Sequence, residues 1–425
     1  MQRAQRFTCR GLEADGITLR GHYQLDDVTF TERVDVEGAD FSDPAQRSIA
    51  ELWYLIAGLS YYKAGAAHVV DLADTPVGTQ GMALFEAALH DGLGEFSFRN
   101  NLPLDDVVIE GGRDVTAHLV TPTRADVLIP FGGGIDSCVT VDALAHLPRT
   151  LFVVSPASGR FDALEETAAA TGLNVQRVTR TLDLAGLRSS SNFFNGHVPV
   201  TTMVTLLATL SALANGQSGV VMSNEHSSSA PNLQWRGRDI NHQWSKSLVA
   251  ETLIAAAVAE RIGDEITVSS FLRDRSELWV AERFSHLHEL LRTFRSCNRA
   301  FAQSVNERAL QWCGACDKCL FINLILSPFL SRDTLRSIFQ SEPLSNPALA
   351  TTLESLVGLG DIPKPFECVG DPDESAAALV EIAGRDEWHD VPVLRDLATR
   401  VRPTRSFAQL LEPQGVSRVP AAWLR

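Results

Sequence analysis

Two kinds of apolar segment alternate between residues 125 and 272. "VLIP" from Val127 is a short apolar run of the buried parallel kind, and "TLFVVSP" from Thr150, "NVQRVTRTL" from Asn174, "SGVVMSNE" from Ser218 and "EITVSSFL" from Glu265 read as further strands. Between them lie longer helical stretches. One opens near Asp136, "VTTMVTLLATLSALANGQ" closes on Asn215-Gly216, and "KSLVAETLIAAAVAERIG" meets a stop at Gly263. Upstream, "ITLRGHYQLDD" and "FTERVDVEG" read as extended, and "QRSIAELWYLIAGLSYYKAG" as a helix with Ile49, Leu52, Trp53, Ile56 and Leu59 at helical spacing. A turn-rich passage from Gly111 to Thr123 separates that part from the alternating one, and the tail after Arg332 is helical with Pro-rich connections. This order predicts an α/β fold: a doubly wound parallel sheet over residues 123–332, an α+β domain over 1–122 and a helical region over 333–425. Ligands of such sheets bind at the carboxyl ends of the strands, where "FGGGIDS", "SPASGR", "SNEHSS" and "SSFLRDRSE" fall.

Composition narrows the class. The chain has 425 residues, 45% of them hydrophobic and 21% charged, which suits roughly two or three folded domains. There is no internal repeat, and no run is long enough for a membrane span; "VTTMVTLLATLSALA" is too short and carries several Thr. The start lacks the apolar core of a signal peptide, so a cytoplasmic location is expected. A net charge of −15 disfavours nucleic acid and membrane surfaces as partners. An anionic substrate would have to be held by local cations and backbone N–H groups.

The stretch "ADVLIPFGGGIDS" leads a strand into a helix through three glycines, an arrangement that holds anions. A Walker A loop would need Lys-Ser/Thr where Ile135-Asp136 stands, and a Gly-x-Gly-x-x-Gly fingerprint would need glycine at Ser137. A plain structural turn stays open. "FGGGIDS" also resembles the SGGxDS loop of the PP-loop ATP pyrophosphatases, the N-type family, with Gly132 in place of that family's first Ser. That resemblance implies a loop of Phe131, Gly132, Gly133, Gly134 and Ser137 gripping ATP phosphates while the α–β bond breaks. It implies Asp136 on Mg²⁺ and Ser155, after the second strand, near adenine.

Four of the seven cysteines crowd together, Cys297, Cys313, Cys316 and Cys319, the last three at C-x2-C-x2-C spacing. Four thiolates suit a closed structural Zn²⁺ site. An iron–sulfur cluster or buried free thiols remain as alternatives. "SCNRAF" and "WCGACDKC" also resemble the zinc knot of deazaguanine synthases, though the first spacing differs.

The segment "SNEHSSSAPNLQWRGRDINHQWSKS" holds Asn224, Glu225, His226, Arg236, Arg238, Asn241, His242 and Lys246 at a strand's carboxyl end. It is expected to contact substrate or ATP, although a polar solvated loop would read the same way. "LSYYKAG" (Tyr62, Lys63) and "GLGEFSFRNN" stand out further upstream without a decisive composition.

Taken in order, "SYYKAG", "GLGEFSFRNN", "FGGGIDS", "SNEHSS", "NHQWSKS" and "WCGACDKCLF" resemble the MurL family, the UDP-N-acetylmuramoyl-L-alanyl-L-glutamate epimerases of peptidoglycan synthesis. The resemblance spans about residues 20–335. It implies an ATP- and Mg²⁺-dependent isomerase acting on a UDP-N-acetylmuramoyl dipeptide, by adenylation of the glutamate carboxylate and inversion at Cα. On that reading His242 is the favoured base and Lys246 a phosphate clamp or second acid. Glu225 and His226 are reserves, and Asn224, Arg236, Arg238, Asn241, Tyr62 and Lys63 are substrate contacts. Another adenylating PP-loop ligase, acting on a deazaguanine or on tRNA, and a non-catalytic nucleotide-binding regulator are the competing classes. The sequence leaves the oligomeric state open.

Overall fold

A computed structural model of the chain describes residues 2–302, 304–360 and 362–424. Its strands are β1 (Arg6–Asp15), β2 (Thr18–Leu25), β3 (Val28–Val36), β4 (Val69–Asp71), β5 (Val108–Glu110), β6 (Val127–Pro130), β7 (Arg149–Pro156), β8 (Val175–Thr181), β9 (Gly219–Met222), β10 (Leu233–Trp235), β11 (Arg238–Ile240) and β12 (Thr267–Ser270). Ten of them form one sheet in the order β12-β9-β6-β7-β8-β3-β2-β1-β4-β5, and β10 and β11 form a separate hairpin.

The run from β12 to β8 is parallel throughout. The antiparallel strands β1, β2 and β3 attach to it where β3 pairs with β8. The sheet is therefore mixed and mostly parallel, and the N-terminal strands extend it rather than forming a sheet of their own.

Alternation along the strands sorts side chains into two cores, because successive Cβ atoms point to opposite faces. Leu128, Phe152, Val220 and Met222 join one core with the helices Pro44–Ala57, Val200–Ala214 and Leu248–Ile262. Val127, Ile129, Leu151, Val153 and Val221 join the other, with the helices Ile135–Ala143, Glu277–Ser285, Asp317–Leu326 and the C-terminal helices. A sheet covered on both faces needs apolar residues at most positions, which is why these strands read as continuous runs.

Local signals set several boundaries. Asp43 caps the helix Pro44–Ala57 by accepting from Gln46 N at 2.9 Å, with Pro44 in the first turn. The helix was expected to run on through Tyr62. It does so with one interruption at Gly58, itself right-handed helical at φ −53°, and resumes over Leu59–Tyr62; a Cβ at Gly58 would sit 2.9 Å from the Tyr23 ring. The helix Leu248–Ile262 ends at Gly263, whose φ is +81°. Among the described residues no helix is long and apolar enough to cross a membrane.

The strand order places the site. β6, β7 and β8 follow one another outward in one direction, whereas β9 and β12 lie on the other side of β6. Connections leaving β6 and β9 therefore diverge to opposite faces and open a crevice between their carboxyl ends, the usual ligand position in such sheets.

Candidate active site

A cavity of about 340 Å³ lies at that crevice, lined among others by Gly132, Gly134, Asp136, Asn224, Lys246, Lys318 and Cys368. The glycine loop forms one wall. Gly133 has φ +73°, and its carbonyl accepts from Arg295 N at 3.2 Å, so the loop is tied to the segment that precedes the cysteine cluster. Gly134 caps the helix Ile135–Ala143, and a Cβ there would stand 2.8 Å from Ser296 Oγ. At Gly132 a Cβ would meet no atom within 4 Å. The Ser137 hydroxyl donates to the Gly134 carbonyl at 3.1 Å. The helix presents its N-terminal N–H groups to the cavity, where they favour an anion.

Beside this wall, carboxylate oxygens of Asp136, Glu225 and Glu277 lie within 4.8 Å of one another. Glu225 is 1% and Glu277 2% exposed. Asp136 Oδ1, both Glu225 oxygens and Glu277 Oε2 have no hydrogen-bond partner among the described residues. Burial and the neighbouring Glu225 push Asp136 up to about 7, against the pull of Lys318 and Lys246. Burial, Asp136 and Glu225 hold Glu277 well above the usual carboxylate range. Three buried carboxylates with free oxygens are costly unless a cation shares them, and their hard oxygen donors suit Mg²⁺.

A buried arginine holds two of the loops in register. Arg273 pairs with Glu251 at 2.8 Å and donates to the backbone carbonyls of Glu225 at 3.0 Å and Lys246 at 2.7 Å. Both loops reach the cavity because this one guanidinium ties the end of β9 to the segment entering the helix Leu248–Ile262.

The opposite wall is cationic and carries a thiol. Burial works against the charge on Lys246, but Cys368, Glu225 and Asp136 raise its pKa above the ordinary lysine value. The Lys318 ammonium donates to the Cys368 carbonyl. Behind Cys368 stands His242, whose Nδ1 lies 2.5 Å from Glu95 Oε2. His197 packs on it with ring centroids 4.3 Å apart. Burial alone would lower His242, yet the Cys368 and Glu95 side chains raise it to about 9, so it carries a proton at neutral pH. Burial would raise Cys368, but Lys246, the His242 hydrogen bond and Lys318 draw it down to about 6. His197 falls to about 4 through burial and the His242 charge, and stays neutral.

The cysteine cluster lies next to this wall. Sulfur atoms of Cys297, Cys313, Cys316 and Cys319 are mutually within 4.8 Å, with Cys313–Cys319 at 3.6 Å and Cys316–Cys319 at 3.4 Å. A tetrahedral Zn–S₄ centre separates its sulfurs by about 3.8 Å, so this cluster of four can hold a metal such as zinc. Cys316 Sγ also accepts from Cys319 N at 3.4 Å and caps the helix Asp317–Leu326. The knot thereby fixes both Lys318 and the segment Arg295–Asn298, all cavity-lining except Cys297 itself.

Other residues singled out in the sequence take different places. Phe131 and Ser155 are buried at the ends of β6 and β7, outside the cavity lining. Arg236 and Arg238 lie on the β10–β11 hairpin, Arg236 over the Trp235 ring and Arg238 beside Asp105 at 3.1 Å. The Asn241 side chain donates to the Ser228 carbonyl at 2.9 Å and accepts from Gln243 N at 2.8 Å. His226 meets the C-terminal tail at Gly415. Tyr62 is buried, its hydroxyl donating to the Ala67 carbonyl at 3.0 Å. Lys63 binds Asn195 Oδ1 at 2.9 Å and the Gly196 carbonyl at 2.8 Å, which holds the loop carrying His197.

Sequence reasoning did not single out Glu95, His197, Arg273, Glu277, Lys318 or Cys368. Glu95 lies within the marked "GLGEFSFRNN", and Arg273 within "SSFLRDRSE" at a strand's carboxyl end. Cys368 is an isolated cysteine in the C-terminal region, and no local pattern signals it.

Residues 1–271 match the family model described as the MurL N-terminal domain, and residues 293–410 the one described as the MurL C-terminal domain. A relative from Micromonospora sp. is 37% identical over 393 residues, 89% of this chain and 85% of that protein. One from Salinispora tropica is 36% identical over 389 residues, 88% and 82%. One from Xanthomonas oryzae pv. oryzae is 33% identical over 411 residues, 93% and 90%. All three carry the name UDP-N-acetyl-alpha-D-muramoyl-L-alanyl-L-glutamate epimerase.

Proposed function

The chain belongs to the MurL family, and from that premise we propose that it epimerises the terminal L-Glu of UDP-N-acetylmuramoyl-L-Ala-L-Glu to D-Glu for peptidoglycan precursor synthesis. The reaction is coupled to conversion of ATP into AMP and pyrophosphate. One observation carries this reading: at the β6/β9 crevice an N–H-rich glycine loop, Asp136 and two ammonium groups line one cavity, with the buried carboxylates of Glu225 and Glu277 gathered on Asp136.

The chemistry needs all three. The α-proton of a free carboxylate is hard to remove, because the resulting enolate would carry two negative charges. Adenylation of the carboxylate cancels one charge and makes that proton far more acidic. Gly132, Gly133, Gly134 and Ser137 would cradle pyrophosphate oxygens by N–H and hydroxyl donors in the PP-loop manner. Asp136, with Glu225 and Glu277 beside it, would hold Mg²⁺, which offsets polyphosphate charge when bound. Lys246 and Lys318 add positive charge on the other side, supplying locally what a net charge of −15 denies globally. Proton transfer at Cα falls to the neighbourhood of His242 and Lys246. The four cysteines would hold Zn²⁺ in a closed structural site.

The test mixes protein, ATP, Mg²⁺ and UDP-N-acetylmuramoyl-L-Ala-L-Glu in D₂O, then assays AMP and the configuration and α-deuterium content of the glutamate. AMP together with α-deuterated D-Glu is the expected result. ATP binding without AMP and without deuterium would overturn the reading. Elemental analysis of anaerobically purified protein should give one zinc per chain; the absence of both zinc and iron would overturn the metal assignment.

A further inference from the structure

We propose that the sulfur of Cys368 takes the α-proton from one face of the activated glutamyl carbon, and that Glu95 and His242 are the positioning residues that hold it as a thiolate. The inference rests on the epimerase reading and names a proton carrier for it.

Four observations meet at this residue. Cys368 lines the cavity together with the glycine loop and Lys246. His242 bonds Glu95 through Nδ1 at 2.5 Å, and its charge acts on the Cys368 sulfur. Glu95 is itself 5% exposed and bound by Arg99 at 2.5 Å, so the carboxylate is fixed and its charge is directed at the imidazole. The charged groups around the thiol are the cations Lys246, Lys318 and His242 and the carboxylates Asp136 and Glu367, and the cations prevail in favouring the deprotonated sulfur. A protonated His242 is a poor base. The same proton makes it a good partner for a thiolate, and a thiolate is a good base.

The step balances as follows. The thiolate forms an S–H bond as the Cα–H bond breaks, and the released electron pair moves into the adenylated carbonyl. A water molecule then protonates Cα from the opposite face, and the hydroxide it leaves takes the proton from the thiol, which restores the thiolate. The product therefore carries solvent hydrogen.

Two measurements on the full chain test this. In the D₂O assay, Cys368→Ala and the near-isosteric Cys368→Ser should lower α-deuterium incorporation and D-Glu formation at least about 1000-fold. Wild type that makes no AMP and no D-Glu overturns the epimerase reading itself. Wild type that makes both, while Cys368→Ala incorporates deuterium at the wild-type rate, overturns the thiol assignment alone. The second measurement is iodoacetamide labelling of Cys368 followed by mass spectrometry from pH 5 to 9, which needs no turnover. Labelling of the wild type should already be fast at pH 7 and should slow about tenfold in Glu95→Gln, with its pH midpoint moved upward. Slow labelling at pH 7, or a profile that Glu95→Gln leaves unchanged, overturns the triad.

Discussion

The glycine loop after β6 and the segment Lys364–Glu374 contribute to the same site, yet they are built in opposite ways. The loop is shaped by its immediate neighbours: the strand before it, the helix after it and the positive φ of Gly133. The segment from Lys364 to Gly370 has no helix or strand. It is held by side chains from distant parts of the chain. Asn232 donates to the Pro365 carbonyl at 2.7 Å, Asn298 to Glu367 Oε1 at 2.8 Å, Gln243 to the Val369 carbonyl at 2.9 Å, and Lys318 to the Cys368 carbonyl. The anion wall is thus a local motif, and the thiol wall is assembled by the tertiary fold. Changes in the core should hurt both, whereas changes in either wall should separate them.

The largest effect is expected from Arg273→Met. It leaves Glu251 buried without its partner and frees the carbonyls of Glu225 and Lys246, so it damages both walls at once. A loss of about 3–5 kcal/mol is expected, read as a lower urea midpoint.

Next comes the pH response of the thiol wall. His242 rises in the folded protein from 6.5 to about 9, so its protonated form favours folding. The contribution is fully present below about 6.5 and is lost as pH rises through about 9, to an extent of about 3 kcal/mol. Urea unfolding of wild type against Glu95→Gln should therefore show an advantage for Glu95 at pH 6.5 that shrinks by pH 10. An advantage that does not vary with pH would contradict the charged pair.

Gly133→Ala sharpens the comparison from the other side. Alanine at φ +73°, with its Cβ 3.4 Å from Leu164 Cα, should cost about 1–2 kcal/mol and depress AMP formation. Iodoacetamide labelling of Cys368 should change less than AMP formation does, because the loop meets the thiol wall indirectly, through the segment Arg295–Asn298.

Gly132→Ser should have the smallest effect. A Cβ there meets no atom within 4 Å and φ is not positive, so stability should move by less than about 0.5 kcal/mol. The hydroxyl restores the donor that the PP-loop pattern has at this position, and AMP formation should hold or improve. A marked loss would show that Gly132 matters for its backbone.

The sequence by itself determined the parallel strands β6, β7 and β9, because strands buried on both faces are mostly apolar and such runs can be read directly; β8, with Arg177 and Arg180, and β12, with Ser269 and Ser270, follow from the alternation with helices. It also determined the glycine loop, with Asp136 and Ser137, and the four-cysteine knot, because each depends on residues close together in the chain. Tertiary structure alone decided the rest. The pairing of β3 with β8, which merges the N-terminal strands into one sheet, leaves no local trace, since hydrogen bonds between backbones do not depend on side-chain identity. Strands β4 and β5, three residues each, are too short for a period to register. The carboxylate trio gathers Asp136, Glu225 and Glu277 from three separate elements, and the thiol wall gathers Glu95, His242 and Cys368 from three more. Their chemistry comes from proximity and burial, and only the folded chain sets those.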